Sequence, residues 1–133
     1  MNAFVDSSAL VAILTREEDA DALSDRLDGI GSACTSPVVI FETVLALARK
    51  KQYSLPEAQR EIAEFFAAAQ IEIVEITGHA SDLAIAAFDR FGKGRHKAAL
   101  NMGDCFSYAC AKVHKVPLLY KGDDFIHTDI RSA

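Results

Sequence analysis

Carboxylates stand at or just past apolar runs, or open an apolar-faced helix, at four places in this chain. Apolar runs of this kind are typical of buried strands and helix faces, so their ends would bring distant carboxylates toward one edge of a sheet. Converging carboxylates need a cation, and Mg²⁺ or Mn²⁺ prefers oxygen ligands and commonly acts on phosphate groups. The pattern therefore favours a divalent-metal site for a phosphate substrate. The four positions are Asp6 after residues 3–5, Glu42 after 38–41, Asp104 within 101–104, and Asp123–Asp124 after 117–120.

Three of these acidic positions also have an ordinary structural role. Asp6 could cap the helix that begins at Ser7 or Ser8, and Asp104 could favour the dipole of its own helix. The pair Asp123–Asp124 could form a solvated turn. For these residues, pattern alone leaves both interpretations open.

Glu42 favours the metal interpretation, because a carboxylate beside a strongly apolar helix face is costly to bury unpaired. Its structural alternative is an ion pair with Arg49 or Lys50. If the four acids converge, their mutual repulsion would raise some of their pKa values, and a bound cation would relieve that repulsion. Such a cation could orient a water for in-line attack on phosphorus, which is phosphodiester hydrolysis.

A formal net charge of −5 is unfavourable for a nucleic-acid partner, but the distribution of charge matters more than its total. Basic residues collect in the glycine-containing segment 93–97. This cluster predicts a phosphate-binding loop with Lys93, Arg95 and His96 as candidate substrate contacts. Ser7 is a further candidate through its hydroxyl, with helix capping as its alternative role.

Short strand-like runs alternate with longer helical ones, which indicates an α/β domain with a mainly parallel sheet covered by helices. In the helix that begins at Ser36–Pro37, the recurrence of Val38, Phe41, Leu45 and Ala48 predicts the inward face. The predicted strands cover residues 3–5, 32–35, 71–76 and 117–120. The predicted helices run from Ser7 or Ser8 to 14, over 17–27, 37–51 and 55–69, from the cap Thr77 to 91, and onward from 101 or 103.

Length and composition fit one domain spanning residues 1–133, with half of its residues hydrophobic. No run offers the ~20 apolar residues that a membrane span needs. The amino terminus lacks the features of a secretory signal, which predicts a soluble cytoplasmic protein without a membrane partner. The three cysteines lack metal-site or redox spacing, so we expect reduced, buried thiols.

The ordered set of motifs resembles the PIN-domain ribonucleases, and within them the VapC-type toxins of bacterial toxin–antitoxin systems. Any one acidic motif is weak, whereas the set as a whole extends over nearly the entire chain. The segments that carry the resemblance are Val5–Leu10, Glu42, Phe91–His96, Leu100–Phe106, Leu118–Phe125 and Thr128–Asp129.

The resemblance implies a three-layer α/β/α sandwich with a mainly parallel sheet. It also implies an endoribonuclease that depends on Mg²⁺, with Mn²⁺ as a substitute, and that is inhibited by a cognate antitoxin and forms a homodimer. By position, Asp6 and Asp104 correspond to the principal metal ligands. Glu42 and an acid of the last turn complete the catalytic set.

This sequence departs from the family pattern at two positions. The family often carries its fourth acid where this chain has Gly122, so Asp124 is the preferred residue and Asp123 its near rival. Lys97 stands where proline is expected after the Gly-Arg-His motif, which should loosen the basic loop without removing its charge.

Two other functions remain as alternatives. A phospho-acceptor signalling domain of receiver type is also a small α/β fold with an acidic pocket, and Lys121 could serve as its lysine. Such a domain needs an aspartate after its central strand, whereas residues 71–76 are followed by Thr77. The second alternative is an inactive domain that binds the antitoxin but no longer cleaves RNA.

Overall fold

A four-stranded parallel sheet forms the centre of the computed structural model, which describes residues 1–133. The first strand lies in the interior of the sheet, with Phe4 opposite both Cys34 and Leu118. All three of its residues are fully buried, as its continuous apolar sequence requires. The strands are β1 (Ala3–Val5), β2 (Ala33–Thr35), β3 (Ile71–Ile73) and β4 (Leu118–Leu119), in the order β3-β2-β1-β4.

Six helices flank this sheet and give the three-layer α/β/α sandwich that the sequence predicted. Consecutive helices pack in pairs, with α5 on α6 and α3 on α4. The helices are α1 (Ser7–Leu14), α2 (Ala20–Ile30), α3 (Pro37–Lys51), α4 (Leu55–Ala69), α5 (Gly78–Phe91) and α6 (Met102–His114), followed by a 3-10 turn at Phe125–His127.

Side-chain caps fix where the helices begin. The Ser36 hydroxyl accepts from the Val39 amide at 3.3 Å, with Pro37 in the first turn, so α3 starts where the sequence predicted. Asn101 and Asp104 form a reciprocal capping box, which settles the start of α6 at Met102.

The predicted bounds of one helix and one strand are wrong. The second helix starts at Ala20 and continues through Gly29 to Ile30, and it ends where Gly31 adopts a positive φ of 80°. The third strand ends at Ile73, because β3 forms the edge of the sheet and pairs only with β2. That edge position also shows that residues 71–76 do not form a central strand.

The predicted inward face of α3 is also wrong. Val39, Thr43 and Leu47 are the buried residues, whereas Phe41 is 66% exposed and Leu45 is 45% exposed. Because α3 is apolar on nearly all sides, its spacing fits more than one inward face, and packing against α1, α4 and α6 selects among them. Glu42 therefore borders an apolar surface that faces solvent.

One hydrophobic cluster holds the sheet and helices together, with Phe4, Leu10, Leu47 and Leu118 among its fully buried side chains. The three cysteines are buried and unpaired, as predicted. None of the helices combines the length and the apolar character needed to cross a membrane.

Candidate active site

Asp6 lies at the carboxyl end of β1 and caps α1, with only 2% of its surface exposed. Its Oδ2 accepts from the Ser8 amide at 3.0 Å and from the Ser8 hydroxyl at 2.6 Å. Its Oδ1 accepts from the Ser107 hydroxyl at 2.5 Å. The capping role is therefore real, and it also holds a buried carboxylate in one orientation at the edge of the sheet.

Ser107 and Ser8 have site roles that the sequence reasoning missed. Ser107 is fully buried on α6, three residues after Asp104, a spacing that places both on one side of the helix. The Ser8 hydroxyl also accepts from the Lys121 amide at 3.0 Å, which ties the loop after β4 to α1. The available sequence signals were a serine three residues after Asp104 and a serine two residues after Asp6, where an N-cap side chain bonds.

Glu42 is the acid whose environment is least satisfied. Its Oε1 is buried and has no hydrogen-bond partner. The pKa of Glu42 is raised to about 7, mainly by burial and in addition by the neighbouring Asp6 and Asp104 charges, while the Ser7 hydroxyl partly opposes the shift. The alternative of an ion pair with Arg49 or Lys50 is wrong, because Lys50 binds Glu17 at 3.3 Å and Arg49 forms no ion pair.

Asp104 occupies the first turn of α6, where its Oδ2 accepts from the Asn101 amide at 3.0 Å. The pKa of Asp104 is raised to about 6, mainly by burial and in addition by the charges of Asp6 and Asp124, while the Asn101 bond opposes the shift. Asp124, rather than Asp123, is thus the acid of the last turn whose charge reaches Asp104. This favours the preferred choice for the fourth position.

The fold brings the end of β1, the middle of α3 and the start of α6 together around these acids. A Cβ atom added to Gly103 would lie 2.0 Å from the Glu42 Oε2, so the first turn of α6 is directly against that carboxylate. No group of three or more His, Cys, Asp or Glu side chains is arranged so that it could hold a metal ion as it stands. The donor set nevertheless fits a hard divalent cation, because it combines carboxylate oxygens, raised pKa values and an orphaned buried oxygen.

Of the predicted substrate contacts, Ser7 lies at this site. It is half-buried at the start of α1 and lines a cleft together with Glu42. The basic loop is placed differently: Arg95 pairs with Asp89 at 3.2 Å, and the His96 Nδ1 accepts from the Ala98 amide at 3.0 Å. Lys93 is exposed, and its ammonium forms no ion pair or hydrogen bond within the protein, unlike the side chains of Arg95 and His96.

The cleft beside Glu42, here called the basic cleft, has a volume of about 450 Å³. Its basic side chains are Arg49, Lys50 and Lys121, none of which the sequence reasoning selected as substrate contacts. Lys121 is bound by Glu17 at 2.5 Å and by Asp19 at 3.1 Å. The spacing of Glu42 and Arg49, two turns apart on one helix, was the signal available in the sequence.

On the other side of Glu42 lies an exposed surface, here called the apolar patch. Two adjacent clefts form it and share Met102, which is 69% exposed. One of these clefts extends to Glu42 and Arg49, which form the border between the apolar patch and the basic cleft. An apolar surface of this kind, at the rim of a polar site, is typical of a protein interface. Its large exposed side chains are Phe41, Leu45, Ile85, Phe88 and Met102.

Gly103→Ala is expected to lower catalytic activity without lowering stability. The new methyl would displace the Glu42 carboxylate, while alanine is the better helix former by roughly 1 kcal/mol. Thermal unfolding and RNA cleavage measured on the same preparation check this, with Gly29→Ala in the open part of α2 as the matched control. Full activity in the Gly103 variant would show that the position of Glu42 does not matter.

Comparisons with known proteins identify the family of this chain. The PIN-domain family model matches residues 3–131. The chain is 40% identical over 129 residues to ribonuclease VapC30 of Mycobacterium tuberculosis, an alignment that covers 97% of this chain and 96% of that protein.

Solved structures share the fold. VapC20 of Mycobacterium tuberculosis, described as a toxin that cleaves the sarcin-ricin loop, matches with a TM-score of 0.77 and 18% identity, over 99% of this chain and 98% of that one. A toxin–antitoxin complex from Klebsiella pneumoniae matches with a TM-score of 0.70 and 18% identity, over 96% and 93% of the two chains. The family match and the sequence identity together show that this chain belongs to the PIN-domain family and, within it, to the VapC ribonucleases.

Proposed function

We propose that this protein is a metal-dependent endoribonuclease and acts as the toxin of a toxin–antitoxin pair. The observation that carries the proposal is the buried, unpaired Glu42 oxygen beside Asp6 and Asp104. A cluster of this kind destabilises the protein unless a cation offsets its charge, so its presence is better explained by catalysis than by folding. The VapC ribonucleases to which the chain is similar supply the RNA substrate class.

Asp6, Glu42 and Asp104 would hold Mg²⁺, or Mn²⁺ as a substitute, with Asp124 completing the set. The bound ion supplies an activated water and neutralises charge on the leaving oxygen of the phosphodiester. The chain's own residues orient the ligands: Ser8 and Ser107 fix both oxygens of Asp6, and the Asn101 amide fixes Asp104. Glu42 is left free to respond to the cation, because nothing else binds its Oε1.

The receiver-type alternative loses its main support in the structure. Lys121, its candidate lysine, is bound by Glu17 and Asp19 and not by an acid of the candidate site. The inactive-domain alternative differs from our proposal only in whether the acids bind a metal and support cleavage. Measuring RNA cleavage across a Mg²⁺ titration distinguishes the two.

The experiment combines purified protein with total bacterial RNA and maps the new 5′ ends by sequencing. We expect discrete cleavage sites that need Mg²⁺, disappear with EDTA and return with Mn²⁺. Persistence of the same ends in EDTA would refute metal dependence, and an absence of ends under every condition would favour the inactive domain.

The partners follow from the same family membership. The toxin is held inactive in the cytoplasm by a cognate antitoxin, as the toxin–antitoxin complex with the same fold suggests. The apolar patch is the surface we assign to a homodimer, because it exposes several large apolar side chains that a second copy would cover.

Ile85→Glu is expected to convert the dimer to monomer at micromolar concentration. Ile85 is 68% exposed within the apolar patch, so a charge there opposes association without touching the core. Sedimentation velocity measures the change, and Leu55→Glu, at an exposed apolar position outside the patch, is the control. A variant that stays dimeric, or a wild type that is already monomeric, would assign the patch to another partner.

A further inference from the structure

We propose that the basic cleft binds the RNA backbone beside the scissile phosphate and that Arg49 is its principal phosphate contact. This inference rests on the proposed function, because it names how the substrate of that site is held. It assigns a role to residues outside both the acidic cluster and the loop at residues 93–97.

The first support is the position of the cleft. Glu42, Ser7 and Ser8 line the same cavity as Arg49, Lys50 and Lys121, so the cations and a proposed metal ligand face one solvent-filled space. Arg49 lies seven residues after Glu42 on α3, which is about 10 Å along the helix axis. A long arginine side chain at that distance can reach a phosphate next to the one being cleaved.

The second support is the state of the three cations. Lys50 and Lys121 are both held by Glu17, and Lys121 is held by Asp19 as well. Arg49 is exposed and forms no ion pair, so its guanidinium keeps all of its donors for a ligand. A planar guanidinium can bind two phosphate oxygens at once, which makes it the stronger candidate of the three.

The third support is the contrast with the basic loop. Arg95 is paired with Asp89, and the His96 ring is fixed by the Ala98 amide and by edge-on packing against Phe91. The loop thus uses part of its basic character to hold its own shape. Because no carboxylate pairs with Arg49, its charge also gives a chain with a net charge of −5 a local contact for a polyanion.

The test measures binding of a fluorescent, random-sequence 12-nucleotide single-stranded RNA pool by anisotropy in EDTA, at several salt concentrations. Arg49→Gln is expected to weaken binding roughly fivefold or more and to lower the salt slope by about one. Arg49→Lys, which keeps the charge, should retain a larger part of the affinity. Arg60→Gln, at an exposed and unpaired arginine of α4, is the matched control and should bind like the wild type.

Lys93→Gln distinguishes the cleft from the loop. A larger loss for Lys93→Gln than for Arg49→Gln would overturn the inference, as would equal losses for Arg49→Gln and Arg60→Gln. Thermal unfolding of Arg49→Gln should match the wild type, since the side chain is exposed. A lower melting temperature would also count against the inference if neither Arg49→Lys nor a change of salt concentration restores binding.

The outcome separates this inference from the proposed function. A wild type that binds the RNA pool but never cleaves RNA would remove the ribonuclease activity while leaving the cleft to be judged by Arg49→Gln. A wild type that binds no RNA in EDTA would end the inference alone, because the cleavage of total RNA in Mg²⁺ judges the proposed function separately. Normal binding by Arg49→Gln alongside Mg²⁺-dependent cleavage would end the inference alone.

Discussion

Asp6→Asn is expected to reduce Mg²⁺-dependent RNA cleavage by about a hundredfold to a thousandfold, a loss typical of removing an electrostatic group that acts at the transition state. The substitution replaces a charged oxygen ligand with a neutral amide, which binds a hard cation far more weakly. Cleavage of total RNA at saturating Mg²⁺ measures the loss.

The free energy of unfolding of the same variant is expected to lie within about 1 kcal/mol of the wild-type value, because asparagine is among the best N-cap residues. Its carbonyl oxygen can still accept from the Ser8 amide, and the Ser107 hydroxyl can turn to accept from the new amide. Asp6→Ala is the comparison, since it removes the cap and should cost about 1–2 kcal/mol more. Full cleavage activity in Asp6→Asn would show that Asp6 is not a metal ligand. An unfolded Asp6→Asn would show that Asp6 acts only as a helix cap.

Glu42→Gln is expected to abolish cleavage and yet to stabilise the metal-free protein at pH 8. Burial and the charges of Asp6 and Asp104 raise the pKa of Glu42 from 4.5 to about 7 in the folded state. Each unit corresponds to about 1.4 kcal/mol, and partial exposure reduces the total, so we expect a gain of roughly 1–2 kcal/mol for the neutral variant.

The sign of the pH dependence follows from proton binding. Between pH 4.5 and about 7, the folded state holds a proton on Glu42 that the unfolded state has lost. The stability of the wild type therefore falls as the pH rises through this window, and the full penalty remains above it. Below about pH 4.5 the two proteins should be equally stable.

Chemical denaturation in EDTA across pH 4 to 8 checks this expectation, and added Mg²⁺ supplies the control. Mg²⁺ binding to the folded state should stabilise the wild type more than Glu42→Gln, which has lost one of the proposed ligands. A variant that is less stable than the wild type at pH 8 would show that Glu42 has a structural partner after all.

Local sequence signals were sufficient for much of the fold. The run Ala3–Val5 is short, apolar and buried on both faces, and the caps at Ser36 and Asn101 are side-chain chemistry that acts within three residues. The bounds of α3 and α4 were predicted for this reason. The bounds of α2 and β3 were not, because Gly29 is tolerated inside a helix and because an edge strand has only one neighbour to extend it.

The sequence by itself determined which residue types could form the site. Acids at the ends of apolar segments, in a chain with parallel-sheet patterning, predict carboxylates at one edge whatever the details of packing. Charge and spacing were therefore sufficient to predict the site acids, which are Asp6, Glu42, Asp104 and the pair at 123–124.

Only the tertiary structure decided how those residues are used. It selected the face of α3 by packing, left the Glu42 oxygen without a partner, and placed Ser107 against Asp6 across 101 residues of sequence. It also brought Arg49 into the cleft beside Glu42 while holding Lys121 on Glu17. These facts depend on contacts between distant segments. The spacing could place Ser107 beside Asp104 and Arg49 on the helix of Glu42, but a helix that is apolar on most sides carries no local preference among its faces, so the contacts themselves came only from packing.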